Sequence, residues 1–369
     1  MKKKIAILPG DGIGPEVMTQ AINVLDSIAQ KFGHEFIYTH ALVGGAAYDK
    51  YKEHLPQATI DICNDADAIL FGSVGGPVNA QQEAKWANCE AKSILALRKA
   101  FNFNINLRKT EIYPELAALS PLKPDLVKNG LNIVVFRELL GDIYFGEHYL
   151  GEKDGMRFAS DIAEYNEEQI KSITHQAFKT ALTRSKNLVS VDKANVLATS
   201  KLWRQIVAEV AKEYPEVKYQ DMLVDNCAMQ IIRNPSQFDV ILTSNLFGDI
   251  LSDELSVLSG SLGMMPSASF SSSGFALYEP AGGSAPDIAG KDIANPIAQI
   301  LSAGMMLAYS FAMHEEARAI EQAVKNTIIN GYRTSDLALG VGNEKVVGTE
   351  EFTKQVIKAI EHRFPPARE

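Results

Sequence analysis

The amino-acid sequence predicts an α/β protein built as two domains. Short apolar runs typical of buried strands alternate with amphipathic helical segments along the chain, and this alternation favours helices packed on a sheet. A length of 369 residues exceeds what one simple hydrophobic core usually serves. The 46% hydrophobic and 22% charged residues are typical of a globular chain.

The first part of the chain is predicted to form strands that end in glycine-rich turns. Residues 4–9 are a buried strand, and the turn GDGIGPE leads into a helix that reaches about Phe32. The turn has the pattern GxGxG, without the spacing of a dinucleotide fingerprint, so a plain tight turn is favoured over a phosphate site. Next come a strand at 67–72, a surface loop over 76–90, a helix at 93–100 and a strand at 101–108.

The rest of the chain repeats the alternation. Apolar runs predict strands at 132–137, 188–191 and 219–225, and helical periodicity predicts helices at 167–184, 200–211, 294–313 and 315–330. A protruding β segment is expected at 142–161, and glycine-rich loops are expected after Ser259. A further helix spans the segment LFGDILSDELSVL.

Charge and cysteine content exclude several classes of partner and compartment. A net charge of −9 argues against nucleic acid or an anionic membrane as the main partner. No apolar run approaches the roughly 20 residues of a membrane helix, and the apolar run at the N-terminus stops after Leu8, too early for a signal peptide. The scattered Cys63, Cys89 and Cys227 lack metal-ligand spacing, so a reducing, cytoplasmic location is expected.

Two aspartates mark a candidate metal site. Asp249 and Asp253 are four residues apart in a helical segment, so both carboxylates lie on one helix face. A hard divalent cation would relieve their repulsion, and Asp225 can complete a carboxylate cluster. The alternative, a solvated acidic helix face, stays open on this spacing alone.

Basic residues at the ends of apolar runs form a second candidate set. Arg98, Arg108 and Arg137 either make structural ion pairs or together hold a dicarboxylate, because a guanidinium matches a carboxylate bidentately. Lys193 lies at another strand end, where burial near a metal can lower its pKa enough for it to act as a base. Tyr144 ends a similar run. The alternatives at these two positions are a surface lysine and a core tyrosine whose hydroxyl group is hydrogen-bonded.

The segment YEPAGGSAPDIAGKDIANP, residues 278–296, is predicted to be a long loop rich in glycine and proline. Its glycines and prolines allow close approach of the backbone to a ligand, and loops of this length are commonly functional. Asp287 offers a carboxylate to hydroxyl groups such as those of a ribose.

Taken together, these motifs resemble those of the β-decarboxylating dehydrogenase family that includes isocitrate, isopropylmalate and tartrate/D-malate dehydrogenases. The resemblance extends from LPGDGIGPEV through FGSVGGP, LRKAF, NLRK, REL, IYFGE, SVDKANVL, LWR, VDNCAMQ and FDVILTSNLFGDILSDE to GSLGMMPSAS, GGSAPDIAG and IANPIAQILSAGMML. Nearly the whole chain is covered, so chance occurrence of the set is not credible.

The resemblance implies an α/β fold that is not a Rossmann fold, with two domains flanking a cleft. Residues 1–103 plus 261–369 would bind the cofactor, and residues 104–260 would bind substrate and metal and form the dimer. A β arm would lie at the dimer interface, and the homodimer would share its active sites between subunits. The ligand would be a small-molecule dicarboxylate.

The resemblance also implies a role for each matching residue. Arg98, Arg108 and Arg137 would bind the malate carboxylates, and Asp249 and Asp253 with Asp225 of the other subunit would hold Mg²⁺ or Mn²⁺. Lys193, also from the other subunit, would accept the hydroxyl proton, and Tyr144 would protonate the carbon that loses CO₂. The NAD cleft would be lined by Ile13, Glu279, Gly283 and Ser284, with Asp287 on the adenosine ribose and Asn295 on the adenine.

Substrate and cofactor preference follow from a few positions. Ile94 and Leu95, with Val196 facing them, form an apolar pocket that suits an isopropyl group and would leave a third carboxylate unpaired. Glu90 lies where the family places an acid between substrate and nicotinamide. Because Asp287 repels a 2′-phosphate, NAD is preferred over NADP.

We therefore expect NAD-dependent oxidative decarboxylation of 3-isopropylmalate, a step of leucine synthesis. Tartrate or D-malate as substrate is the alternative within the family, and a catalytically silent metabolite-binding protein is the alternative outside it. The chain departs from the usual pattern at Gly282, Lys109, Asp142 and residues 161–165. Asp142 is expected to raise the pKa of the nearby Tyr144.

Overall fold

The computed structural model describes residues 1–363 and is built around a ten-stranded mixed sheet. The strands are β1 (Lys2–Gly10), β2 (Glu35–His40), β3 (Ala68–Ser73), β4 (Phe103–Ile112), β5 (Leu131–Glu138), β6 (His148–Lys153), β7 (Met156–Asp161), β8 (Asn187–Asp192), β9 (Lys218–Leu223), β10 (Val240–Thr243), β11 (Pro266–Ser271), β12 (Ala276–Pro280), β13 (Tyr332–Arg333) and β14 (Lys345–Val346). The order in the large sheet is β2-β1-β3-β12-β11-β4-β5-β10-β8-β9.

Helices cover both faces of this sheet, which confirms the predicted α/β class. They are α1 (Gly14–Phe32), α2 (Gly44–Tyr51), α3 (Gln57–Asn64), α4 (Ala96–Ala100), α5 (Pro124–Val127), α6 (Glu167–Leu182), α7 (Ala198–Ala211), α8 (Val224–Arg233), α9 (Asn245–Leu258), α10 (Ile297–Tyr309), α11 (His314–Ile329) and α12 (Thr349–Arg363). A π-helical turn, Ala91–Leu95, precedes α4. Within residues 1–363, each helix is either too short or too polar to cross a membrane.

The middle of the sheet is antiparallel, unlike the all-parallel sheet of a Rossmann fold. Strand β4 pairs antiparallel with both β5 and β11, and β11 pairs antiparallel with β12. The outer strands on both sides pair in parallel. Strands β1, β2, β3, β11 and β12 come from the two ends of the chain, and the other five come from its middle.

The predicted domain division at 103/104 and 260/261 stays a prediction, although the sheet order groups the strands in the same way. The last six residues of the predicted first domain, 364–369, lie outside the described part of the chain.

Side-chain alternation along the strands builds one continuous core on one face of the sheet. Ile5 and Ile7 of β1, like Phe136 of β5, point into this core, which α1, α6, α7, α10, α11 and α12 cover. On the opposite face the apolar side chains form two separate clusters. One contains Leu8 of β1, and the other contains Val135 of β5. A polar region therefore separates the two clusters on that face.

Most predicted elements are confirmed, with shifted bounds, but three predictions are wrong. The strand expected at 219–225 ends at Leu223, so Asp225 lies in the first turn of α8. The glycine-rich stretch after Ser259 contains β11 and β12, because paired strands can carry small residues when neighbouring strands cover them. Residues 142–144 form a 3₁₀ turn, and only β6 and β7 form the protruding hairpin.

Lys109 joins the middle of the sheet to a helix from the far end of the chain. Its Nζ lies 3.0 Å from Glu111 of β4 and 3.0 Å from Glu321 of α11. Burial lowers the pKa of this ammonium group, but the two carboxylates outweigh burial and raise the pKa above its usual value.

We predict that Lys109→Met lowers the free energy of unfolding by roughly 1–2 kcal/mol, because two partly buried carboxylates lose their countercharge. Lys128→Met is the matched control, since Lys128 is 62% exposed and pairs with Asp125, which is 90% exposed; its effect should stay below about 0.5 kcal/mol. Urea denaturation of both variants measures the difference. Equal effects would show that the Lys109 ion pairs contribute no more than surface pairs.

Candidate active site

The strand register places the polar candidates in the region between the two apolar clusters. Arg108 of β4 lies opposite Ser267 of β11, which in turn lies opposite Glu279 of β12. Asn106, two residues before Arg108, lies opposite Arg137 of β5. Opposed residues and residues two apart share one face of a sheet. Both arginines and Glu279 therefore project from the same face.

Helix α9 lies directly on this face because it has a glycine where it meets Arg137. A Cβ atom added to Gly248 would lie 2.6 Å from Cγ of Arg137, so a larger residue would push the helix away. At the start of the helix, Arg137 Nε donates to Oδ1 of Asn245 at 3.0 Å. The backbone N–H groups of Asn245 and Leu246 donate to Tyr165 Oη and Asp142 Oδ2. These contacts fix the helix above the arginines.

The two aspartates of α9 pair with the arginines beneath them. Asp249 contacts Arg137 through a short ion pair and lies 3.6 Å from Arg108. Asp253 Oδ1 lies 3.1 Å from Nη1 of Arg108. Tyr144 Oη donates to Oδ2 of Asp249 at 2.6 Å. The structure thus brings together five of the residues that the sequence selected.

Burial and the close neighbouring charges shift the pKa values of several groups in this cluster. Burial alone would raise the pKa of Asp249, but Arg137, the hydrogen bond from Tyr144 and Arg108 together hold that pKa below its ordinary value. Burial and the neighbouring Arg108 lower the pKa of Arg137 to about 10. Burial and the hydrogen bond to Asp249 raise the pKa of Tyr144.

The expectation that Asp142 raises the pKa of Tyr144 is wrong. The Asp142 carboxylate accepts hydrogen bonds from the N–H groups of Ile143 and Leu246. The carboxylate that acts on Tyr144 is that of Asp249.

A cavity of about 260 Å³ opens over this cluster. Its walls include the predicted Glu90, Ile94, Leu95, Arg98, Arg108, Arg137, Tyr144, Asp249, Glu279 and Gly283. Arg98 donates to Glu279 at 3.0 Å, and its Nε atom is buried without a hydrogen-bond partner. The cavity therefore offers guanidinium groups to an anion and also presents the apolar side chains of Ile94 and Leu95.

A second cavity, of about 480 Å³, adjoins the first and shares Ser73, Pro280, Gly282 and Gly283 with it. Of the residues predicted to bind the cofactor, Ile13, Gly283 and Asn295 line this cavity. Its size is that of a pocket for a ligand of drug or cofactor size.

The other predicted cofactor residues lie around this second cavity in different ways. Ser284 is buried, and its carbonyl accepts the N–H of Ile13 at 2.8 Å, which joins the glycine turn after β1 to the loop 281–285. Asp287 is exposed in the short turn Pro286–Ile288, between the lining residues Ala285 and Ile288. Glu279 belongs to the arginine cavity alone.

Three predicted residues lie away from the arginine cavity within one chain. Lys193 makes a short ion pair with Asp225, and the hydrogen bond from Lys193 lowers the pKa of the Asp225 carboxyl. Val196 is 63% exposed. Consistent with this separation, residues 1–363 of a single chain contain no group of three His, Cys, Asp or Glu side chains that could hold a metal ion.

The donor atoms nevertheless fit a hard divalent cation. Asp249 and Asp253 present carboxylate oxygens on successive turns of α9, with side chains 33% and 63% exposed. Oxygen ligands of this kind suit Mg²⁺ or Mn²⁺. Helix α9 would supply two protein ligands to such a cation.

Sequence reasoning missed several residues that support the site. Ser252 Oγ accepts from Arg108 Nη1 at 2.7 Å, and Asn106 Oδ1 accepts from Arg108 Nε at 3.1 Å. Asp336 lines the larger cavity and accepts from Asn295 Nδ2 at 2.9 Å. Ser252 lies three residues after Asp249, a spacing that places it on the same helix face and that could have identified it. Only the fold places Asp336 there.

Comparison with known proteins places the chain in a family. The model of the isocitrate/isopropylmalate dehydrogenase family matches residues 4–356. The chain belongs to this family, and its fold is the one that the sequence predicted.

Relatives and solved structures agree with this assignment. The chain is 51% identical over 363 residues to a 3-isopropylmalate dehydrogenase from Mannheimia succiniciproducens, covering 96% of this chain and 99% of the relative. It is 50% identical over 364 residues to one from Geobacter sulfurreducens, covering 97% and 99%. The crystal structure of an isocitrate dehydrogenase from Methylococcus capsulatus superposes with a TM-score of 0.84 at 33% identity, covering 98% of this chain and 100% of that one.

Glu138 lies beneath the site, on the opposite face of β5 from Arg137. Its carboxylate is fully buried and accepts the N–H groups of Leu140 at 2.9 Å and Gly141 at 2.7 Å. Burial raises its pKa from 4.5 to about 7 in spite of these hydrogen bonds.

This shift predicts a pH dependence of stability. Between pH 4.5 and about 7 the folded state holds a proton that the unfolded state has lost, so the free energy of unfolding falls as pH rises and levels off above that window. Each pKa unit corresponds to about 1.4 kcal/mol. Glu138→Gln should flatten this part of the profile, measured by denaturation at several pH values. Parallel profiles for the two proteins would contradict the prediction.

Proposed function

We propose that this protein catalyses the NAD⁺-dependent oxidative decarboxylation of (2R,3S)-3-isopropylmalate to 4-methyl-2-oxopentanoate and CO₂ in leucine biosynthesis. The observation that carries the proposal is a single cavity lined both by Arg98, Arg108 and Arg137 and by the apolar side chains of Ile94 and Leu95. The relatives of about 50% identity are named for this substrate.

Substrate recognition rests on two kinds of side chain in this cavity, the charged arginines and the apolar Ile94 and Leu95. The arginines pair with the two carboxylates of the malate unit, since guanidinium groups bind carboxylates in bidentate geometry. Ile94, which is 8% exposed, and Leu95 contact the isopropyl group. A third carboxylate at this position would be desolvated without a partner, which is costly. The cavity therefore selects a branched alkyl substituent.

Metal and cofactor are held by the residues that fit them. Asp249 and Asp253, with the partner's Asp225, would hold Mg²⁺ or Mn²⁺. When bound, the cation would supply Lewis acidity towards the substrate, and NAD⁺ would supply the hydride acceptor.

The chain's own side chains move the protons. Lys193 accepts the proton of the 2-hydroxyl group. Tyr144, whose pKa is raised by burial and by Asp249, remains protonated at neutral pH and donates to the carbon that loses CO₂. Glu90 lies in the cavity wall between substrate and nicotinamide.

Of the residues that would hold the cofactor, Ile13, Gly283 and Asn295 line the larger cavity. Asn295 would bind the adenine, and Asp287 would bind the adenosine ribose. Glu279, in the wall of the arginine cavity, and Ser284, between the lining residues Gly283 and Ala285 of the larger cavity, would complete the cofactor cleft. The carboxylate of Asp287 repels a 2′-phosphate, which favours NAD over NADP. The cytoplasmic location expected from the sequence remains a prediction.

A homodimer with shared active sites would explain why α8 and α9 expose apolar side chains. Met229 and Ile232 on α8 are 56% and 45% exposed and follow Asp225 by four and seven residues, so all three share a helix face. On α9, Ile250 and Val257, each 58% exposed, flank Asp253 in the same way.

Exposed apolar faces of this kind mark interaction surfaces. A second copy seated on them brings the partner's Lys193 and the partner's Asp225 towards Asp249 and Asp253, and the partner's Val196 towards Ile94. The hairpin β6–β7, with Leu150 89% exposed, extends the same contact. Residues 104–260 thus form the dimerising domain, and residues 1–103 with 261–369 form the cofactor domain.

We predict that the purified protein, supplied with NAD⁺ and Mg²⁺, forms NADH fastest with 3-isopropylmalate. An apolar contact of isopropyl size favours this substrate over D-malate and tartrate by roughly ten- to a hundredfold in kcat/KM. A panel that also contains isocitrate measures the order. Preference for D-malate, tartrate or isocitrate would overturn the substrate, and binding without turnover would indicate a silent metabolite-binding protein.

Hybrid dimers test whether the site is shared. Lys193→Ala and Tyr144→Phe each reduce activity, but one site of a hybrid dimer combines an intact Tyr144 with an intact partner's Lys193. A mixture refolded in equal amounts should therefore regain about a quarter of the wild-type activity. Activity no higher than the mean of the two variants would place both residues of each site in one chain.

A further inference from the structure

The loop 77–90 leads into the substrate cavity and makes an aromatic contact that the proposed mechanism does not use. Trp86, near the end of this loop, lies against the α-carbons of two glycines from other segments. A Cβ atom added to Gly45 of α2 would lie 2.3 Å from Cζ3 of the indole, and one added to Gly76 would lie 2.2 Å from its Cδ2. The indole therefore occupies a seat that only glycine leaves open.

The seat itself is fixed by a buried carboxylate. Asp11 accepts the N–H groups of Gly45 at 2.8 Å and Ala46 at 2.8 Å, and that of Gly75 at 3.1 Å. One side chain thus joins the start of α2 to the turn that contains Gly75 and Gly76. The two glycines under the indole are held at a constant separation by this connection.

Lys85, the residue before Trp86, also contacts the indole. Lys85 Nζ lies 4.6 Å from the centroid of the indole ring, within cation–π distance, and 2.5 Å from Asp49 of α2. The buried His54 contacts the Lys85 carbonyl at 2.8 Å. The end of the loop is therefore attached to α2 through the indole, an ion pair and a backbone group.

From Trp86 the chain runs directly into the substrate cavity. The N–H of Cys89 donates to the Trp86 carbonyl at 3.1 Å, and Ser93 Oγ donates to the Cys89 carbonyl at 2.5 Å. The next residues, Glu90, Ile94 and Leu95, line the cavity, and Arg98 follows on the same helical segment.

We propose that Trp86 is a positioning residue: seated on Gly45 and Gly76, it sets where Glu90 and the Ile94–Leu95 wall stand relative to Arg108 and Arg137. The expected effect of Trp86 on catalysis rests on the proposed function. The seat has no contact with the reacting groups, so Trp86 acts through the position of the cavity wall.

Gly76→Ala and Gly45→Ala fill the seat while leaving Trp86 in place. Neither glycine has a positive φ, so alanine is compatible with the backbone and the added methyl acts on the indole. Gly304→Ala is the matched control, because its Cβ would meet Ile320 at an ordinary 3.6 Å. The seat variants should raise KM for 3-isopropylmalate and lower kcat/KM by roughly ten- to a hundredfold, as expected when a cavity wall moves by about 1 Å.

Tryptophan fluorescence tests the contact without any substrate. The chain has two tryptophans, and Trp203 is buried at 1% exposure, so the spectrum of Trp86→Phe gives the contribution of Trp203 to be subtracted. The emission of Trp86 should shift to longer wavelength in both seat variants and remain unchanged in Gly304→Ala. Trp86→Phe should keep most activity, and Trp86→Ala should resemble the seat variants.

A red shift accompanied by unchanged KM and kcat would overturn the positioning role, and an unchanged emission in both seat variants would overturn the seat itself. If the wild-type protein forms no NADH with any acid of the panel, the proposed function fails on its own. The fluorescence shift and 3-isopropylmalate binding, measured by calorimetry, then decide whether Trp86 positions the cavity wall.

Discussion

Crowding of positive charge is the constraint on which the site depends. Arg98, Arg108 and Arg137 reach one small cavity, each at most 9% exposed. Buried charges of one sign are tolerated only with partners close by. Glu279, Asp249 and Asp253 supply those partners in this structure. Two of these three carboxylates, those of Asp249 and Asp253, are also the ones that fit a divalent cation.

The antiparallel centre of the sheet makes this crowding possible. In a parallel sheet, functional residues meet at the strand ends. Here β4, β11 and β12 run past one another, so Arg108 and Glu279 lie in one row although they are far apart in sequence. The row falls between two apolar clusters. Water and ligands can reach it, while the continuous core on the other face keeps the strands in place.

Under the proposed function, a single chain would present only part of the chemistry. Lys193 and Asp225 pair with each other away from the arginine cavity, on a face that also carries exposed apolar residues. Hydrophobic burial would draw a second copy onto that face, and the same contact would move a base and a metal ligand towards the site. Assembly and activity would then depend on one surface.

Local patterns in the sequence determined the α/β class, most strands and helices, and the common face of Asp249 and Asp253, because strand and helix periodicities are properties of neighbouring residues. The motifs also identified the family, which the comparisons confirm. Three features were decided only by the tertiary structure: the row that joins Arg108 to Glu279, the helical start at Asp225, and the glycine seat of Trp86. Each depends on hydrogen bonds or packing between segments distant in the chain, and residue spacing alone does not encode such contacts.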